Sequence, residues 1–201
     1  MSGRVRVGSQ IAQSIVPSAR FRSILHNRTV AVNAVHAFSA GDIVAAPMRY
    51  FLLDRILTLR PPESATAVKC VSLADDVFAD HFPGQPVMPG ALLIEAMAQL
   101  GGVLVEATLR ERGHDHLHAM LTMVDRAKFR EVVRPGDRLE LEAIGLAARE
   151  EGGQVRALAR VDGKLVAEAD LTFAFVKIAN PKLIQRRREA LQIWLGGSVG
   201  E

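Results

Sequence analysis

The chain has 201 residues, 49% hydrophobic and 23% charged, with a net charge of +3. That is the balance of a globular protein with one domain and a real core, too short for two ordinary domains. Cys70 is the only cysteine, which excludes an internal disulfide and a cysteine-based zinc site and suits a reducing, cytoplasmic setting.

The charge is uneven. Residues 1–47 carry five arginines and one aspartate, residues 177–201 five basic and two acidic side chains, and the 129 residues between them are net −4. The basic character therefore belongs to the chain ends and is not a nucleic-acid footprint. Trp194 and Tyr50 are the sole members of their types, so no base-stacking pattern supports nucleic acid either. No uninterrupted apolar run reaches roughly 18 residues, so no membrane span is expected; residues 91–105 come nearest, broken by Glu95 and Gln99.

Residues 1–47 have no acid before Asp42, and Arg4, Arg6, Arg20, Arg22 and Arg28 stand among serines. This gives a faint organellar-targeting look, against which stand a disordered extension and a chain that properly begins at Met48. The domain expected to carry function is 48–176. "FLLDRILTL" and "ATAVKCVSL" are strand-like runs separated by the turn "RPPES", and residues 74–90 form a Gly/Pro-rich loop. Residues 91–112 lack proline and are dominated by good helix formers. They are apolar on nearly all sides as far as Val105, which predicts a buried helix ending near Gly113. Four further strands follow, "LHAMLTMVDRAKF", "RLELEAIGLAA", "QVRALARV" and "KLVAEADLTFAFV", separated by "RPGD", "EEGG" and "DGK". Two strands, one long buried helix and an antiparallel meander read as an α+β domain with one sheet around one central helix. Residues 177–201 form a C-terminal extension with a short helix: Asn180 can cap it and Pro181 fits its first position. Its apolar side, including Leu191 and Trp194, is expected to pack on the body or on a second subunit.

Within "HFPGQPVMPGALLIEAMAQLGG", residues 81–102, only His81 and Glu95 can move a proton at neutral pH. Glu95 falls one turn into an apolar helix, where a bare carboxylate is costly and its pKa should rise unless something pairs with it. Gln99, at i+4, is placed to orient it by a hydrogen bond. His81 lies on the loop feeding the helix, with an ordinary pKa suited to a general base. Gly90 sits at the helix entrance, where backbone N–H groups lack intrahelical acceptors and can polarise a carbonyl. Base, acid and oxyanion donor around an apolar cavity suit proton abstraction next to a carbonyl.

The same segment resembles the signature of the β-hydroxyacyl-acyl carrier protein dehydratases of bacterial fatty-acid synthesis. "YFLLDRI", "VDRAKFREVVRPGD" and "VDGKLVAEA" also match by type and spacing, so the resemblance covers residues 50–176. It implies the hot-dog fold, a curved antiparallel sheet wrapped around a long central helix, in agreement with the reading above. It implies that His81 and Glu95 are catalytic. It implies that Gly90 is the backbone donor to the thioester carbonyl, with Phe82, Pro89 and Gln99 in the substrate site. The implied reaction converts a (3R)-3-hydroxyacyl thioester into a trans-2-enoyl thioester without metal or redox cofactor. The implied partner is acyl carrier protein, and the implied assembly is a homodimer, extending to a trimer of dimers, with His and Glu supplied by opposite subunits.

"EAMAQ" instead of "DAMWQ" favours the dehydration-only branch of the family over the dehydratase-isomerases. The chain departs from the family's pattern in three places. The usual His and Pro around the opening Tyr are missing from "APMRYFLLDR", Met120 or Leu121 stands where an aromatic often gates the acyl tunnel, and the C-terminal extension is longer. An acidic carrier protein needs a basic patch, and Arg126, Lys128, Arg130, Arg134 and Arg138 form the densest one, with ordinary solvated strand charges as the alternative. "HDHLH", residues 114–118, has metal-like spacing but lies in a helix-to-strand connection, and no metal site is expected there. Two other functions compete: a hot-dog thioester hydrolase, which generally lacks the "HFPG…PG" loop, and a non-catalytic acyl-binding subunit, in which His81 or Glu95 would be lost.

Overall fold

The computed structural model describes residues 50–149 and 151–196; the expectations for residues 1–47 lie outside the described residues. Alternating apolar positions build one antiparallel sheet from β1 (Arg55–Arg60), β2 (Ser64–Cys70), β3 (Leu117–Phe129), β4 (Arg138–Arg149), β5 (Gly152–Val161) and β6 (Lys164–Lys177). The strand order is β1-β2-β4-β5-β6-β3, so β1 and β3 are its two edges. Register shifts at Ile56/Thr58, Leu121/Met123, Asp125/Lys128 and Gly145/Ala147 insert extra residues, and such bulges bend strands.

The buried face of the sheet is rich in small residues. Ala143 on β4, Ala157 and Ala159 on β5, and Ala167 and Ala169 on β6 alternate with solvent-facing neighbours and are nearly inaccessible. That leaves room for a helix, α1 (Gly90–Glu111), to lie close against the strands. At Gly101 a Cβ would fall 2.8 Å from Val155 Cγ2, so a side chain there would push helix and sheet apart. Leu93, Met97, Leu100 and Leu104 fill the interface, each contributing roughly 1.5–3 kcal/mol on full burial. This is the hot-dog fold. By length and composition α1 is apolar enough to cross a membrane, but most of it is buried inside the sheet. Counting uninterrupted apolar residues missed that property, and the wrapping strands account for it.

Two expected boundaries shift for a physical reason. The first strand begins only at Arg55, because the backbone at Tyr50 and Leu52 bonds to the Gln99 side chain instead of to a neighbouring strand. The loop before α1 contains a short 3-10 helix, Asp76–Ala79. The C-terminal helix, α2 (Pro181–Trp194), starts with Asn180 accepting a hydrogen bond from Lys182 N at 3.0 Å. It packs on the body, with Ala190 and Trp194 buried and the Trp194 ring edge-on to Phe51 at 5.6 Å.

Candidate active site

The loop from Asp80 to Pro89 is fixed by its own turn chemistry. Phe82 N and Gln85 N each donate to the other's carbonyl, at 3.2 and 2.9 Å. Pro83 and Gly84 occupy the two central positions, and Gly84 has φ of 77°, as a type II turn demands. The His81–Phe82 peptide is cis, and the two rings stack 4.1 Å apart. Further along, Met88 N donates to Val133 O at 2.8 Å, tying the loop to the segment between β3 and β4.

This frame determines which nitrogen of His81 is free. Its Nδ1 lies 2.8 Å from Val87 O. A carbonyl can only accept, so Nδ1 carries the hydrogen and, in the neutral ring, Nε2 holds the lone pair. His81 is half-buried and Phe82 is exposed. Pro89 caps α1 without a side-chain bond. Its carbonyl takes Leu92 N and Leu93 N at 3.0 and 3.2 Å. The N–H groups of Gly90 and Ala91 are left without an acceptor among the described residues, at the positive end of the helix dipole.

Glu95 is half-buried one turn along α1. Gln99 Nε2 donates to Glu95 Oε1 at 3.0 Å and to Tyr50 O at 2.8 Å, while Gln99 Oε1 accepts from Leu52 N at 3.0 Å. The amide is thus held at both ends by backbone, and it holds one carboxylate oxygen while leaving the other open. No hydrogen bond or ion pair joins His81 to Glu95 within one chain. A cavity of about 550 Å³ is walled by Phe51, Leu52, Phe78, Met88 and Leu92, with Asp75, Asp76 and Lys69 also lining it; contrary to the expectation from the sequence, neither His81, Glu95 nor Gly90 lines it.

The five basic residues do not form one free patch. Arg126 pairs with Asp170, Lys128 with Glu168 at 3.5 Å, Arg130 with Glu168 at 2.5 Å, and Arg138 with Glu140 at 2.6 Å. Arg130's hydrogen bond holds the Glu168 carboxyl below its ordinary range. Arg126 and Lys128 join Arg156 around a shallow surface pocket. Arg134 is exposed and its guanidinium has no carboxylate partner among the described residues. The histidines of "HDHLH" separate: His114 and His116 lie at the surface side of the turn with rings 6.4 Å apart, and His118 turns inward. Among the described residues no group of three or more His, Cys, Asp or Glu could hold a metal ion.

Two features escape a reading of the sequence. The Phe129 ring at the end of β3 lies against Gly90, where a Cβ would be 2.9 Å from two of its carbons. Glu106, deep in α1 and only 3% exposed, accepts from Ala119 N at 2.7 Å and pairs with Arg187 of α2. His118 Nδ1 is 3.8 Å from Glu106 and has no hydrogen-bond partner. Burial holds the His118 imidazole below its ordinary pKa; the Glu106 carboxylate opposes this, and the charges of Arg187 and Arg110 add to it. The signal for Glu106 was present, a lone carboxylate inside "VLVEATL", but its partner stands 81 residues away.

Comparison with known proteins agrees with this architecture. A FabA-like domain matches residues 45–170. The 3-hydroxyacyl-[acyl-carrier-protein] dehydratase FabZ of Symbiobacterium thermophilum is 43% identical over 141 residues, 70% of this chain and 97% of that protein. The FabZ of Lactobacillus helveticus is 42% identical over 129 residues, 63% of this chain and 85% of that one. Among solved structures, the dehydratase heterocomplex ApeI:P from Xenorhabdus doucetiae superposes with a TM-score of 0.53 at 21% identity, covering 69% of this chain and 90% of that one. With the family's domain spanning more than half of the sequence and its relatives matched over most of their length, the chain belongs to the FabA-like family, alongside the FabZ dehydratases.

Proposed function

We propose that this protein dehydrates (3R)-3-hydroxyacyl thioesters carried on acyl carrier protein, in fatty-acid or related acyl-chain synthesis. The observation that carries the reading is the state of His81. Its Nδ1 is committed to Val87 O, so Nε2 is the basic atom, held in place by the loop. In the reaction, His81 Nε2 takes the C2 proton. The electron pair moves toward the thioester oxygen, where the free N–H of Gly90 stabilises the developing charge. The C3–O bond then breaks as the Glu95 carboxyl, directly or through water, delivers a proton to the hydroxyl, which leaves as water. The electron pair at C2 becomes the trans C2=C3 bond. Proton transfers and one C–O cleavage account for the whole reaction, so protein groups suffice. Phe82 and Pro89 flank the base and the donor, and Gln99 aims the acid. The "EAMAQ" motif supports dehydration without isomerisation.

The working unit in this reading is a homodimer, able to assemble further as three dimers. Two observations support it. His81 and Glu95 do not meet within one chain. β3 is a 13-residue edge strand with Met120 and Val124 exposed, and long apolar edges readily pair with another copy. Docking of the acidic carrier falls to Arg134 and the partly neutralised Arg126, Lys128, Arg130 and Arg138. The single, exposed Cys70 fits a cytoplasmic protein.

The test follows the enoyl-thioester absorbance with trans-2-enoyl and 3-hydroxyacyl thioesters of several chain lengths, for wild type, His81→Ala and Glu95→Gln. Interconversion without thiol release, lost in both variants, is the expected result. Thiol release would make the protein a hydrolase, and silence from a folded dimer would make it an acyl-binding subunit.

A further inference from the structure

Phe129 is an aromatic residue at a strand end that remains 53% exposed. Core packing does not account for such a ring, because one side is open to solvent. Its other side lies on Gly90, and a Cβ there would sit 2.9 Å from both Cε1 and Cζ. Gly90 has no positive φ, so its backbone does not need glycine; the ring does. The strand end that carries Phe129 is itself pinned. Phe129 pairs with Ala167, Arg130 N donates to Val166 O at 2.8 Å, and Lys128 and Arg130 on either side both engage Glu168. The ring is therefore a fixed wall beside the first turn of α1, against Gly90, whose N–H has no acceptor among the described residues.

We propose that Phe129 is a positioning residue for the dehydration: its ring seats the thioester against the α1 N-terminus and keeps water off the N–H groups that polarise its carbonyl. The inference rests on the proposed reaction. A donor wetted on its open side loses part of its advantage in the transition state, because water competes for it and raises the local dielectric. Removing one such donor altogether costs roughly 10²–10³ in kcat, so exposing it should cost about tenfold. An interaction made only in the transition state lowers kcat and kcat/KM together.

Steady-state kinetics of Phe129→Ala, Phe129→Gln and Phe129→Leu test this, with urea unfolding of each beside Gly90→Ala and the Gly90→Ala/Phe129→Ala double variant. The expected result is a kcat about tenfold lower in Phe129→Ala and Phe129→Gln, with KM within about threefold of wild type, and most of the activity kept by Phe129→Leu, which preserves an apolar wall. Gly90→Ala should lose stability that the double variant regains, since the added methyl then has room. Phe129→Gln keeps the test open if the alanine variant does not fold, because a polar side chain of similar length suits an exposed strand end. An active wild type whose Ala and Gln variants keep their kcat would overturn this inference alone. A wild type that interconverts no hydroxyacyl and enoyl thioester would overturn the dehydratase reading and this inference with it.

Discussion

Glu106 and Arg187 allow one prediction to be worked through from geometry. The Glu106 side chain is 4% exposed and that of Arg187 40%, so the carboxylate is trapped in the core while the guanidinium has a route to water. Removing one partner of a buried ion pair costs roughly 3–5 kcal/mol, because the other charge is left uncompensated. In Arg187→Ala the stranded group is Glu106, which keeps its bond from Ala119 N at 2.7 Å and a distant Arg110 at 4.0 Å. That partial compensation puts the expected loss at about 2–3 kcal/mol. Glu106→Gln strands only Arg187, which can turn outward, while the amide oxygen still accepts from Ala119 N; about 1 kcal/mol is expected. The double variant should be more stable than Arg187→Ala alone, since no buried charge remains. Urea unfolding followed by far-UV circular dichroism, at one fixed protein concentration, reads all three. The reasoning is refuted if Arg187→Ala lies within about 0.5 kcal/mol of wild type, or if the two single changes simply add. Confirmation would make α2 part of the domain's core.

Three further outcomes follow from the same contacts. Gln99→Leu removes the bonds to Glu95, Tyr50 and Leu52 at once. It should lower kcat by about tenfold or more in the enoyl-thioester assay and cost roughly 1–3 kcal/mol in urea, since Tyr50 O and Leu52 N lose their partner. The His118 imidazole is held below its ordinary value of 6.5 chiefly by burial, with Glu106, Arg187 and Arg110 as the charges facing it. The unfolded chain therefore takes up that proton first, and the stability present above pH 6.5 is lost as the pH falls below it. Urea midpoints measured downward from pH 7.5 should fall in wild type and flatten in His118→Leu. Val124→Lys, on the outer edge of β3, should shift sedimentation toward monomer and abolish dehydratase activity while leaving the circular dichroism spectrum native; an active monomer would remove the shared-site reading.

Much of the fold was legible because periodicity is local. "RLELEAIGL" alternates, and β4 buries Leu139, Leu141 and Ala143 on one face as that alternation requires. The proline-free stretch before Gly113 became α1, and Gly113 ends it with φ of 83°. What was not legible depends on contacts made across the sheet. "YFLL" looks like strand by composition, yet its backbone goes to Gln99, which no local pattern reports. Arg126, Lys128 and Arg130 look like a docking patch until β6 brings Asp170 and Glu168 beside them.

Glu95 and Glu106 make the limit concrete. Both are lone carboxylates in an apolar helix, eleven residues apart. That separation places them on nearly the same face, about 16 Å apart along the axis. Local sequence cannot separate an acid poised for chemistry from an acid that fastens a helix. The difference is the partner. Glu95 has a neutral amide from its own helix, clamped by backbone, which leaves one oxygen free to move a proton. Glu106 has a guanidinium from the far end of the chain and a backbone N–H, a set that keeps it occupied. A half-buried carboxylate with an open oxygen can act on a substrate, and one closed by an arginine can only hold structure; on that ground Glu95 is the acid in the proposed reaction.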